Sequence, residues 1–144
     1  MKELDALEKQ LIRHEGVRAK PYRCTAGCLT VGVGHNLDAK GLREDEIMLI
    51  FRNDLKEVED ALCEHLPWFT SLDDVRRDVL LNMGFNLGVA GLLAFKQTLE
   101  HVRLGQYAQA ADRMMKSKWA GQVGKRAREL ANQMQTGRYM ADER

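Results

Sequence analysis

The chain has 144 residues, 44% of them hydrophobic and 30% charged, which suits one domain or two small lobes and excludes a disordered or collagen-like chain. No run of eighteen apolar residues is present, which excludes a membrane-spanning helix, and the three cysteines (Cys24, Cys28 and Cys63) are too few for a disulfide scaffold. Net charge is +1 but unevenly spread: residues 38–79 carry six basic and twelve acidic side chains, residues 101–144 nine basic and four acidic. Such a basic tail either meets a polyanion or is a solvated helix face.

The opening MKELDALEKQLIRHEG has no apolar h-region, so the expectation is no secretory signal and first appearance in a cytoplasm. Leu4, Leu7, Leu11 and Ile12 fall near one face of a helix over 3–13, with Gly16 as its stop. Residues 28–34, CLTVGVG, alternate with period two. Leu29, Val31 and Val33 are expected to pack inward, leaving Cys28, Thr30, Gly32 and Gly34 on an open face. Tyr22-Arg23-Cys24 supplies a partner strand, and Thr25-Ala26-Gly27 a three-residue loop.

A long helix follows over 43–65, on the spacing of Ile47, Phe51, Leu55, Val58 and Leu62, ending before Pro67. At 1.5 Å per residue it runs about 33 Å, enough to bridge two lobes. Ser71 and Asp74 suggest a capping box for a helix reaching Leu87. Further helices are expected near 95–104, 106–117 and 123–134, with Gly105 and the Trp119–Gly124 stretch between them.

Three residues could carry chemistry. Glu15 stands where the first helix meets the hairpin, and partial desolvation there would raise its pKa and suit a general acid. Thr30 could hold a water or a sugar oxygen, or be there for strand propensity alone. Cys24 opposes Cys28 across the loop, close enough in principle for a disulfide. Its thiol, with Arg18, Lys20 and Arg23 nearby to lower its pKa, could act as nucleophile, charge stabiliser or water-positioning group. Val31–His35 matches neither nucleotide-binding fingerprint, and Cys24, Cys28, His35 and Cys63 lack the paired spacing of a zinc site, so no metal is expected.

Taken together, Glu15-x8-Cys24-x5-Thr30 followed by Val31-Gly32-Val33-Gly34-His35 resembles the active-site region of the phage-type lysozymes, the endolysins of glycoside hydrolase family 24. NMGFNLGVAG at 82–91, KSKWAGQVGKRA at 116–127 and QTGRY at 135–139 extend the resemblance over nearly the whole chain. It implies an α+β, mostly helical fold and a single lysozyme domain over 1–144. A hairpin lobe (14–42) would be joined by a bridging helix (43–66) to a helical lobe (67–144 with the 3–13 helix), with the substrate cleft between the lobes. It implies hydrolysis of the β-1,4 bond between N-acetylmuramic acid and N-acetylglucosamine in peptidoglycan, with no cofactor. Glu15 falls on the family's general acid and Thr30 on its catalytic threonine. Cys24 stands where the family usually has aspartate, which removes a two-carboxylate mechanism at that position.

Asn86, Gln122 and Arg126 match later motifs and are expected to face sugar or peptide. His35 is expected to be structural, tying the hairpin lobe to an acid on the long helix, with Asp54 the candidate. The implied biology is a monomer with peptidoglycan as partner, no nucleic acid and no membrane anchor. It would wait in the host cytoplasm for a holin to open the inner membrane. The alternatives are a catalytically weak peptidoglycan-binding module and a lytic transglycosylase.

Overall fold

The computed structural model describes residues 3–139. The fold is mostly helical with one small antiparallel sheet, as the α+β reading expects. Contacts divide the chain into a unit of residues 1–50 and a unit of residues 51–144.

In the first unit, α1 (Ala6–Glu15) starts on a reciprocal cap. Glu8 N–H donates to Asp5 Oδ1 at 2.8 Å, and Asp5 N–H donates to Glu8 Oε1 at 3.0 Å. Together they satisfy two donors that a helix start leaves orphaned. At the other end Gly16 N–H closes on Ile12 O at 2.8 Å, so Glu15 is the last helical residue. None of α1 is buried, and Leu4, Leu7 and Leu11 remain exposed.

The sheet has the order β1 (Arg18–Arg23), β2 (Leu29–Gly32), β3 (His35–Asn36). Tyr22 pairs with Thr30 and Arg23 with Leu29, and the register slips between Arg18 and Tyr22. Pro21 lies in that irregular stretch of an edge strand, where its missing N–H breaks no ladder. The three-residue loop 25–27 forms as expected, closed by Gly27 N–H donating to Cys24 O at 2.8 Å.

β3 was not anticipated. The period-two run ends at Gly32, and the chain reverses through Val33 and Gly34 to lay Asn36 beside Thr30 and His35 beside Val31. A short helix α2 (Leu37–Lys40) follows, capped by Asn36. The third strand makes β2 central and corrects the expected faces. Thr30, flanked by Tyr22 and Asn36, is only 4% exposed, while Val33 is 42% exposed.

Helix α3 (Glu44–His65) runs almost as expected from its apolar spacing. Within the second unit its stripe sinks progressively, from exposed Phe51 through half-buried Leu55 and Val58 to fully buried Leu62. A 3-10 turn (Phe69–Ser71) precedes α4 (Asp74–Leu87). Its cap is Asp73, whose carboxylate accepts from Arg76 N–H at 3.2 Å, and not Ser71, which the 3-10 turn consumes. Helices α5 (Val89–Leu93), α6 (Lys96–Arg103) and α7 (Tyr107–Met115) follow. The Trp119–Gly124 stretch is not a spacer but most of a helix, α8 (Lys118–Val123), which Ser117 caps through Ala120 N–H. Helix α9 (Lys125–Thr136) closes the unit.

The core lies here: Leu62, Phe69, Leu80, Met83, Leu92, Met114, Leu130 and Met134 are each 1% exposed or less. Arg76 locks α4 to the end of α9, donating from Nε to Met134 O at 2.6 Å and from Nη2 to Gln135 O at 2.9 Å. Its guanidinium also stacks on Tyr107, 3.6 Å from the ring centre. A cation on terminal carbonyls is the arrangement a helix C-terminus favours. Tyr139 donates to Asp78, and that bond to a carboxylate pushes the phenol pKa up to about 12.

Candidate active site

Glu15, Cys24 and Thr30 all belong to the first unit. Glu15 is exposed, so the partial desolvation expected at the end of α1 is not what the structure gives this carboxyl. Its side chain lies instead against the bare face of Gly34. A Cβ built on that glycine would stand 2.7 Å from Glu15 Oε1.

Cys24 and Cys28 are half-buried free thiols on directly opposed positions, Cys24 N–H donating to Cys28 O at 2.9 Å. The Cys24 thiol is held below its ordinary pKa. The largest cause is hydrogen bonding from the Cys28 backbone, then from the Ala26 backbone, opposed by a smaller effect of burial. Donors aimed at sulfur favour the thiolate. Two of the three cations expected to do this, Arg18 and Arg23, are occupied elsewhere, and Lys20 is not among the causes. Arg18 stacks over Tyr22 at 4.7 Å, and Arg23 donates to Gly27 O at 3.0 Å and faces Asp38 at 3.8 Å.

The Thr30 hydroxyl donates its proton to Cys28 O at 2.9 Å. With the proton committed, its lone pairs are left to accept from a water or a sugar hydroxyl. Leu29 N–H donates to Asp38 Oδ2 at 2.7 Å, a bond that braces β2 and has no local signal in the sequence. His35 Nε2–H donates to Gly41 O at 2.6 Å. A carbonyl can only accept, so Nε2 carries the proton.

The second unit holds the other named residues. Asn86, Gln122 and Arg126 are all exposed. Asn86 Oδ1 accepts from the indole Nε1–H of Trp119 at 2.8 Å, and Trp119 is 3% exposed. Arg126 donates from Nε and Nη2 to Asn82 Oδ1, at 3.0 and 2.7 Å. Gln122 lines a pocket of about 550 Å³ together with Phe95, Trp119 and the cations Lys96, Arg113, Lys116 and Lys118. Asp54 lines a separate pocket of about 580 Å³ with Glu57 and Phe85. Sequence reasoning missed Asn82 as the anchor of Arg126, although the two lie in the same pair of motifs.

The phage lysozyme family model matches residues 12–136. The "SAR-endolysin" of Escherichia phage Mu is 31% identical over 85% of this chain and 75% of its own length. The "Endolysin" of Salmonella phage P22 is 32% identical over 78% of this chain and 80% of its own. "Probable T4-type lysozyme 1" of Dictyostelium discoideum is 24% identical over 93% and 96%. With the family match running from α1 to the end of α9 and taking in the Glu15, Cys24 and Thr30 region, the chain belongs to the phage lysozyme family.

Proposed function

We propose that the chain is a phage endolysin, a muramidase that hydrolyses the β-1,4 bond between N-acetylmuramic acid and N-acetylglucosamine. The observation that carries the reading is the cluster in the first unit: an exposed carboxyl resting on Gly34, and a thiol of lowered pKa beside the Thr30 hydroxyl. An exposed carboxyl is free to reach a polymeric substrate. Glu15 protonates the glycosidic oxygen as the bond breaks. Thr30 accepts a hydrogen bond from the attacking water, and the Cys24 thiol, its pKa lowered by its own hairpin, stands where the missing carboxylate would act. Asn86, Gln122 and Arg126 hold glycan and peptide stem on the helical unit. His35, bonded to the Gly41 carbonyl and not to the acid on the long helix first expected for it, serves structure, and the chemistry needs no cofactor. The monomer acts on the cell wall after a holin releases it from the host cytoplasm.

Loss of turbidity of permeabilised Gram-negative cells, measured for wild type, Glu15→Gln and Cys24→Ser, tests the reading. Lysis by wild type and none by Glu15→Gln supports it. Cys24 favours one competing reading, a peptidoglycan-binding module without turnover. Its signature is wild-type protein that pulls down with purified peptidoglycan and lyses nothing.

A further inference from the structure

Two glycines of the Val31-Gly32-Val33-Gly34 run share a backbone conformation and differ in what they face. Gly32 has φ +67° and Gly34 has φ +64°, both in the left-handed region where L side chains are strained. A Cβ on Gly32 would meet nothing within 4 Å. A Cβ on Gly34 would stand 2.7 Å from Glu15 Oε1, 3.2 Å from Cδ and 3.3 Å from Cγ. Backbone conformation therefore explains a glycine at both positions, and contact explains it at only one.

We propose that Gly34 is a positioning residue for Glu15: its bare face is the seat on which the carboxyl rests. The inference deepens the reading of Glu15 as general acid and rests on it. The backbone of Glu15 is fixed from its own side, because it ends α1 and the next residue is closed onto Ile12 by the Gly16 N–H. Glu15 Oε1 is the far end of a flexible, exposed side chain, so a methyl group at 34 is relieved by swinging the carboxyl aside. That movement leaves the fold intact and takes the proton donor off its line to the glycosidic oxygen. Misplacement of a reacting group by about 1 Å can cost about 10²-fold in rate.

The test compares Gly34→Ala, Gly32→Ala and Glu15→Gln in hydrolysis of purified peptidoglycan across a pH range, with thermal unfolding of each. Both alanine variants should lose similar thermal stability, since both add the same backbone strain. Gly34→Ala should lose about 10²-fold in kcat with KM unchanged, and the basic limb of its kcat–pH profile should move. Gly32→Ala should keep its kcat and its pH limb. Equal kcat and an unmoved limb in the two alanine variants, with Glu15→Gln inactive, overturn the seat and leave the general acid standing. An active Glu15→Gln overturns both. Should Gly34→Ala be too unstable to assay, Gly34→Asn and Gly32→Asn, whose side chains tolerate the left-handed region better, take the place of the alanine pair, and the same outcomes support or overturn the seat.

Discussion

The indole Nε1–H of Trp119 on α8 reaches Asn86 Oδ1 on α4 at 2.8 Å, joining a buried ring to an exposed amide. Asn86 thus has a structural duty besides any contact with substrate. Asn86→Ala leaves a buried N–H without its partner and should cost about 1–3 kcal/mol, measured by urea unfolding. Asn86→Asp keeps an acceptor oxygen and should cost much less. Equal losses in the two variants would mean that this bond does not set the cost.

Glu15→Gln should lose at least about 10²-fold in the rate of glycan hydrolysis, the low end for acid catalysis. Its unfolding transition should match wild type, because the change is isosteric and the side chain is exposed. A folded Glu15→Gln protein that keeps most of its activity removes Glu15 from the chemistry.

The hydrogen bonds around Cys24 give a pH dependence. A lowered pKa means that the thiolate is present at a lower pH than for an ordinary cysteine, near 8.5. Alkylation by iodoacetamide, located by mass spectrometry, should half-titrate at Cys24 below the midpoint for free cysteine. Cys24→Asp should retain or increase lytic activity by supplying a permanent charge at the same place.

Cys24 and Cys28 oppose each other directly across the hairpin. Oxidised glutathione should convert the two thiols to a disulfide, two electrons and two protons passing to the glutathione pair. Lysis by wild type should slow, and dithiothreitol should restore it. Cys28→Ala should resist. Equal inhibition of both proteins assigns the loss to direct modification of Cys24 or another group.

The residues that announce themselves in the sequence are those whose signal is local. The end of α1 at Gly16, the 25–27 loop and the course of α3 follow from caps, turn chemistry and 3.6-residue spacing. What was illegible depends on partners distant in the chain or on elements too short to carry a period. β3 has two residues, too few for alternation to register, and without it Thr30 reads as lying on an open face. Asp73 and Ser71 are both good caps, and only the 3-10 turn decides between them. Helix α8 contains Gly121, which in sequence reads as a break. For His35 a carboxylate was the natural partner to expect, whereas the ring nitrogen donates to the Gly41 carbonyl, which carries no residue-type signal. For Cys24 the sequence leaves thiolate and neutral thiol open, with nearby cations as the one visible cause of a lowered pKa, whereas the lowering comes first from backbone donors of its own hairpin.

Hydrolysis at the muramic acid leaves a product end that no other cleavage of the glycan strand leaves. Purified peptidoglycan digested with the wild-type protein should yield muropeptides ending in reducing N-acetylmuramic acid, identified by mass spectrometry before and after borohydride reduction. Muropeptides ending in the 1,6-anhydro form would contradict the account and make the chain a lytic transglycosylase, and the absence of any released muropeptide would contradict it as an enzyme.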